Sequence, residues 1–151
     1  MAAQRIMLLG ATGTIGRATA RALAEAGDEV VCLVRSASVP PPGLPVNVSF
    51  RTCEVTSPDS LRRDGFRGEN FDVLVSCLAS RSGEPADAWA IDHRAHVSAL
   101  AEAGRAGVRH MVLLSAICVQ KPRLAFQHAK LAFETALRES GIGYSIVRPT
   151  A

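Results

Sequence analysis

Three glycines near the amino terminus have a spacing that suits the binding of a phosphate-containing ligand. Gly10, Gly13 and Gly16 follow a short apolar run and precede a segment rich in alanine and leucine. Such glycines allow a tight turn, a close approach of the backbone to a pyrophosphate and close packing of a helix on a sheet. The helix that follows directs free N–H groups and partial positive charge at an anion. The triplet predicts a dinucleotide site; the alternative is a turn needed only for packing.

Arg35, at the end of the second apolar run, indicates which dinucleotide is bound. An Asp or Glu near this point binds the ribose hydroxyls of NAD, whereas an Arg accommodates the 2′-phosphate of NADP. Val34 and Ser36 flank Arg35 without a carboxylate, so NADPH is the predicted cofactor. The alternative is an ordinary solvated arginine in a loop. The residues of the preceding turn expected to contact the cofactor are Gly10, Thr12, Gly13, Thr14, Ile15 and Gly16.

Apolar runs alternate with helical segments along the whole chain. The predicted strands cover residues 6–9, 30–34, 46–53, 71–78, 109–115 and 144–147. The predicted helices cover residues 15–26, a short segment after Ser57, 85–106 and 123–140. Such alternation indicates a parallel sheet covered on both faces. Six strands suit a doubly wound, Rossmann-like α/β fold with the order 3-2-1-4-5-6 and the ligand across the carboxyl ends.

Two local signals refine this outline. Ser57 and Pro58 are typical of an N-cap and a first helical position. Residues 38–45 contain four prolines, which predicts a stiff loop in place of a crossover helix. We expect one NAD(P)-binding domain over residues 1–151.

Composition disfavours several other classes of protein. The 151 residues are 48% hydrophobic and 21% charged, with a net charge of +3. No basic cluster alternates with aromatic residues, so nucleic acid is not a predicted partner. No apolar run reaches the roughly 18 residues of a membrane span, and the first run is too short for a signal peptide. Four cysteines without a C-x-x-C pair suit a reducing, cytoplasmic setting.

Two histidines are candidate metal ligands. His93 and His96 are three residues apart and are predicted to share one face of the long helix. Asp92 is expected to point elsewhere on that helix, and no cysteine or acidic partner recurs at ligand spacing. We therefore predict no metal site.

Several segments together resemble one family. Beside the glycine motif, residues 76–83 (SCLASRSG), 89–92 (WAID), 113–122 (LLSAICVQKP), 126–131 (FQHAKL) and 144–150 (YSIVRPT) resemble the NmrA-like atypical short-chain dehydrogenases/reductases. Within that family they are similar to the NADPH-dependent 8-vinyl reductases of divinyl chlorophyllides. The resemblance implies hydride transfer from NADPH to the C8 vinyl group of a divinyl tetrapyrrole in chlorophyll or bacteriochlorophyll biosynthesis. It also implies a longer protein, with the substrate-binding part beyond these residues.

The resemblance implies catalytic roles for two polar side chains. Ser115 matches the serine that ends the fifth strand, and Lys130 matches the lysine of a Tyr-x-x-x-Lys pair. Phe126 stands at the tyrosine position and has no proton to donate. This difference disfavours carbonyl reduction and suits reduction of a conjugated C=C bond. The alternatives are a solvated helix lysine and a hydroxyl that caps the end of a strand.

The resemblance also places other residues beside the cofactor. Glu54 and Val55 match an Asp-Val pair that lies near the adenine. The end of the fourth strand is expected to contact the nucleotide through its backbone. The end of the sixth strand is expected to lie near the nicotinamide. The further expected contacts are Glu54, Val55, Cys77, Leu78, Ala79, Ser80, Ser115, Lys130, Pro149 and Thr150. Two other functions remain open, namely an NADP-binding redox sensor without catalysis and a different ene or quinone reductase.

Overall fold

The computed structural model describes residues 2–36 and 42–150, which form a parallel six-stranded sheet with the order β3-β2-β1-β4-β5-β6. The strands are β1 (Arg5–Leu9), β2 (Glu29–Val34), β3 (Val48–Thr52), β4 (Val73–Ser76), β5 (His110–Leu114) and β6 (Gly143–Val147). This result confirms the predicted number, direction and order of the strands. The strand bounds differ from the predicted ones by one or two residues at most ends: β3, β4 and β5 are shorter than predicted, whereas β1, β2 and β6 begin one residue earlier.

Helices cover both faces of the sheet. They are α1 (Thr14–Glu25), α2 (Pro58–Ser60), α3 (Pro85–Ala88), α4 (His96–Arg105) and α5 (Ala125–Glu139). Helix α1 packs on one face through Ala20 and Ala24, whereas α4 and α5 pack on the other through residues such as Leu100 and Phe133. Successive strand residues point to opposite faces, so each of the central strands contributes to both cores.

Two of the predicted helical regions contain wider, π-helical turns. The helix after Ser57 begins as expected, because the Ser57 hydroxyl accepts from the backbone N–H of Ser60 at 3.2 Å. It continues as a π-helical segment over Leu61–Phe66. The long predicted helix likewise contains a π-helical segment, Trp89–Ala95, between α3 and α4. Hydrophobic periodicity does not reveal such segments, which often occur at functional sites.

The edges of the sheet are less covered than its centre. The loop predicted over residues 38–45 lies partly outside the described residues; residues 42–45 have no helix. Strand β6 is an edge strand, and Tyr144 and Val147 remain 42% and 49% exposed.

None of the helices within the described ranges is long and apolar enough to cross a membrane.

Candidate functional site

Residues 10–16, here called the glycine turn, pack so closely that two of the glycines admit no side chain. Gly10 has a φ of +76°, and a Cβ atom there would lie 2.5 Å from the backbone of Cys77. A Cβ atom on Gly16 would lie 1.9 Å from the carbonyl oxygen of Gly10. Atoms do not approach so closely without displacing one another. The two glycines therefore allow β1, α1 and the end of β4 to meet.

Gly13 differs because its missing side chain leaves open space. It is the N-cap residue of α1, and no side chain caps the first N–H groups of this helix. A Cβ atom on Gly13 would have only the Gly10 carbonyl oxygen within 4 Å, at 3.8 Å. A larger residue would fit the protein but would extend into the space beside the helix terminus, where anions bind. The glycine turn therefore fits a dinucleotide pyrophosphate.

A cleft of about 570 Å³ opens beside the glycine turn. The residues predicted as cofactor contacts that line this cleft are Gly10, Thr12, Gly13, Arg35, Val55, Leu78, Ala79 and Ser80. The lining residues that sequence reasoning did not assign are Leu33, Val34, Arg81, Ser82, Glu84, Ala86, Asp87 and Ile91. Most of these follow β4. The predicted strand order could have indicated these residues. In a doubly wound sheet, ligands bind at the carboxyl ends of the strands where the strand order reverses, here between β1 and β4.

Arg35 lies exposed directly after β2 and lines the cleft. Its neighbour Glu54 does not line the cleft; the Glu54 carboxylate accepts hydrogen bonds from the hydroxyl and backbone N–H of Thr56 at 2.7 and 3.2 Å. These hydrogen bonds are the main cause of the lowered pKa of Glu54, and the charge of Arg35 adds to it. Of the predicted Glu54-Val55 pair, only Val55 thus faces the cleft.

Residues 78–87, here called the cleft wall, are held in part by Asp87. Its Oδ2 atom accepts from the Ser82 hydroxyl at 2.9 Å and from the backbone N–H groups of Arg81 and Ser82, each at 3.2 Å. The hydrogen bonds from Ser82 are the foremost cause of the lowered pKa of Asp87, and the charge of Arg35 contributes. The carboxylate therefore stays ionised at neutral pH and keeps this part of the wall in one conformation.

A second buried chain of hydrogen bonds supports the start of the cleft wall. His96 Nδ1 donates to the carbonyl of Ile91 at 2.8 Å, so Nε2 accepts from the Ser76 hydroxyl at 2.7 Å. The Ser76 oxygen in turn accepts from the backbone N–H of Leu78 at 3.2 Å. Burial, aided by the charge of Lys130, lowers the pKa of His96 to about 4. The imidazole is therefore neutral, as this pattern of donors and acceptors requires.

Lys130 is buried behind the cleft and does not line it. Its Nζ atom lies 3.2 Å from Oδ1 of Asp92, and the two residues are 6% and 1% exposed. A solvated helix lysine is therefore the wrong interpretation. Asp92 lies in the π-helical segment Trp89–Ala95, and its carboxylate contacts Lys130 and Ser80, an arrangement that the sequence alone does not reveal.

Ser115 is not among the residues that line the cleft. It is 5% exposed, and within the described ranges its hydroxyl has no hydrogen-bond partner of good geometry. It neighbours Glu134, a fully buried carboxylate that forms ion pairs with Arg138 and Arg148. Burial raises the pKa of Glu134, but Arg148 and then the nearby Ser115 hydroxyl lower it, and the net shift is downward. Arg148 thereby ties the end of β6 to α5.

The remaining predicted contacts lie near the cleft in sequence but do not line it. Thr14 and Ile15 are exposed in the first turn of α1. Cys77 is half-buried, and its backbone packs against Gly10. Pro149 is half-buried and Thr150 is exposed, directly after β6. Across residues 2–36 and 42–150, no group of three His, Cys, Asp or Glu side chains is placed to hold a metal ion.

The strand order, the glycine turn and the adjoining cleft define a dinucleotide-binding domain of the Rossmann type. A family model described as NAD(P)H-binding matches residues 10–151, and the chain belongs to this NAD(P)H-binding family. Among solved structures, it is similar to the Bordetella bronchiseptica enzyme WbmG in complex with NAD, with a TM-score of 0.85 and 18% identity. That match covers 97% of this chain and 53% of WbmG, and it shows a shared fold.

Curated relatives are more similar in sequence. The chain is 42% identical over 161 residues to divinyl chlorophyllide a 8-vinyl-reductase, chloroplastic, of Oryza sativa subsp. indica. It is 40% identical over 167 residues to the Arabidopsis thaliana protein of the same name. Each alignment covers 97% of this chain but only 39% of the relative, so the chain spans about two fifths of the length of these relatives.

Proposed function

We propose that the chain is the NADPH-binding part of a reductase that converts the C8 vinyl group of a divinyl chlorophyllide-type tetrapyrrole to an ethyl group. The observation that carries this proposal is the identity of 40–42% to the Oryza and Arabidopsis reductases across 97% of the chain. Because the matched region is two fifths of those proteins, the tetrapyrrole is proposed for the longer protein and NADPH for this domain.

NADPH is preferred over NADH because of the charge at the end of the cleft. Arg35 lines the cleft directly after β2, and the two carboxylates whose pKa values its charge lowers, those of Glu54 and Asp87, are not free to bind ribose hydroxyls in its place. Both carboxylates already accept hydrogen bonds from their own loops. A guanidinium binds a phosphate through strong charge-assisted hydrogen bonds. Arg35 therefore supports recognition of the 2′-phosphate.

Each region of the domain has a separate task in the proposed reaction. The glycine turn binds the pyrophosphate at the amino terminus of α1, and the cleft wall orients the rest of the nucleotide. When bound, the reduced nicotinamide supplies a hydride. Lys130 lies behind the wall, where its ion pair with Asp92 supports the arrangement of the site, whereas Phe126, in the first turn of α5, cannot protonate a carbonyl oxygen. The domain is thus better suited to the reduction of a conjugated C=C bond.

The four cysteines support a reducing compartment for this domain, as the cytoplasm provides. Cys32, Cys53, Cys77 and Cys118 are all free thiols. Burial raises the pKa of Cys32 to about 12, so this thiol stays protonated and packs as a small apolar side chain.

Nucleotide titration tests the cofactor assignment. Arg35→Asp is expected to weaken NADPH about 10- to 150-fold, the value of a charge-assisted phosphate contact, and to change NADH much less. The control is Arg21→Asp, which makes the same charge change on an exposed residue of α1 that does not line the cleft. Calorimetric titration of both nucleotides gives the comparison. Equal weakening of NADPH and NADH by Arg35→Asp would remove Arg35 from this role.

A chimeric enzyme tests the reaction. The chain replaces the aligned region of the Oryza reductase, and NADPH binding is first measured to establish that the chimera is folded. We expect the chimera to reduce divinyl chlorophyllide, followed by the change in its absorption spectrum. The paired change Lys130→Met with Asp92→Asn, which leaves no unpaired buried charge, should lower that rate by roughly tenfold or more at saturating NADPH. A folded chimera that binds NADPH but leaves the vinyl group intact would contradict the proposed reaction.

A further inference from the structure

The buried ion pair between Asp92 and Lys130 connects two parts of the molecule that are far apart in sequence. Oδ1 of Asp92 accepts from the backbone N–H of Ser80 at 3.2 Å and lies 3.2 Å from Nζ of Lys130. Oδ2 accepts from the Ser80 hydroxyl. One carboxylate thus receives two hydrogen bonds from the cleft wall and a cation from α5.

The Asp92 carboxylate lies directly behind the cleft. Its sequence neighbour Ile91 lines the cleft, and so does Ser80, to which it binds. The side chains of Asp92 and Lys130 are 0% and 7% exposed. In the part of the chain that the structure describes, no ion pair joins Lys130 to any carboxylate other than Asp92. The carboxylate therefore sets the place of both the cleft wall and the cation.

A second buried carboxylate on the same run of helix shows what a purely structural ion pair looks like here. Glu102, in α4, is 5% exposed and pairs with Arg62 and Arg105. The side chains of both arginines are more than half exposed, and none of the three residues lines the cleft. Asp92 differs in the feature that matters for binding, because its partners include a residue of the cleft wall.

We infer that Asp92 is a positioning residue of the nucleotide site, holding Ser80 at the cleft and Lys130 behind it as one unit. The inference rests on the proposed function of the cleft. Asp92 touches no ligand itself; it acts by keeping the backbone of the cleft wall and the ammonium of Lys130 in the arrangement that the nucleotide meets. Loss of this unit lowers nucleotide affinity beyond any effect on folding.

The test uses a variant that removes both buried charges together. Removing one partner would leave an unpaired buried charge and risk unfolding, whereas replacing both is often tolerated. Asp92→Asn with Lys130→Met is therefore expected to fold and to bind NADPH about tenfold more weakly, a typical coupling for contacting residues. Glu102→Gln is the matched control: it changes a buried carboxylate to an amide and should leave NADPH affinity within about twofold.

Hydrogen exchange provides a second measurement that needs no nucleotide. We expect the Ser80 amide to exchange about tenfold faster in the double variant than in the wild-type chain, and to be unchanged in Glu102→Gln. If the double variant does not fold, Ser80→Ala replaces it, since this change removes one hydrogen bond to Asp92 and leaves the ion pair intact. It should weaken NADPH roughly threefold.

The outcomes separate this inference from the proposed function. A wild-type chain without NADPH affinity contradicts the proposed function, and Ser80 exchange then still decides whether Asp92 holds the wall. A folded double variant, or Ser80→Ala, with wild-type affinity for NADPH overturns the inference. An equal loss of affinity in Glu102→Gln overturns it as well, because the loss would then follow from any broken buried ion pair.

Discussion

The glycine turn and the cleft wall meet at the same cleft, but different forces determine their shapes. The turn depends on the absence of atoms, since a Cβ on Gly10 or Gly16 would overlap the backbone. The wall depends on polar side chains from the helical region behind it, where Asp87, Asp92 and His96 bind its backbone or the serine before it. A side chain at Gly10 or Gly16 would overlap the backbone, so neither position tolerates substitution. The cleft wall is held by several separate hydrogen bonds, so losing one of them weakens it only in part.

This difference predicts how each region fails. Changes in the turn should be all-or-none, and they should separate cleanly into loss of folding and loss of binding according to where the new atoms point. Changes behind the wall should be graded, and those that involve the His96 imidazole should depend on pH.

The largest effect is expected for Gly16→Ala. The added Cβ would lie 1.9 Å from the Gly10 carbonyl oxygen, which is backbone and cannot rotate away. We expect a loss of about 3 kcal/mol or more in the free energy of unfolding, measured by urea denaturation. Gly104→Ala in α4 is the control, because a Cβ there meets nothing within 4 Å and should stabilise the helix by about 0.5–1 kcal/mol. Similar stabilities for the two variants would contradict the steric account.

A smaller effect, confined to binding, is expected for Gly13→Val. The new methyl groups fit the protein but occupy the space in front of the helix terminus. NADPH affinity should fall by about 100-fold or more, some 2.7 kcal/mol, while the free energy of unfolding changes by only about 1 kcal/mol. Calorimetry and urea denaturation on the same sample give both numbers. Undiminished binding by the folded variant would show that the glycine turn serves packing alone.

The same contrast explains which features could be predicted from the sequence. The glycine turn and the strand order follow from local patterns, namely glycine spacing and apolar runs of strand length, so both were accessible. The Asp92–Lys130 pair was not, because it joins residues far apart in sequence, one of them in a π-helical segment. Periodicity assumes regular α-helical turns and does not show which distant buried groups this carboxylate meets. Ser115 shows a further limit: a motif match locates a residue along the strand but does not show that its hydroxyl is buried beside Glu134.

A graded, pH-dependent effect is expected behind the cleft wall. The pKa of His96 is about 4 in the folded protein and 6.5 for an ordinary histidine, so the unfolded chain binds more protons between these values. Stability from this group is therefore present above the ordinary pKa and is lost as the pH falls toward the folded one. Between about pH 7 and pH 5 the loss should be about 2 kcal/mol. Urea denaturation at each pH, compared with His96→Gln, isolates this contribution; parallel profiles for the two proteins would exclude His96 as its source.

The smallest effect is expected at Phe126. This residue of α5 stands where a tyrosine could donate a proton, and its side chain has no proton to donate. Phe126 is half-buried, one helical turn before Lys130. If reduction of the C=C bond does not use a proton donor at this position, Phe126→Tyr in the Oryza chimera should change the rate of vinyl reduction by no more than about twofold. The added hydroxyl costs desolvation in a partly apolar environment, so any change should be a decrease. The rate is followed by absorption of the tetrapyrrole at saturating NADPH. A rise of about tenfold would show that a proton donor here limits the reaction, and it would favour carbonyl-type chemistry over the proposed reduction.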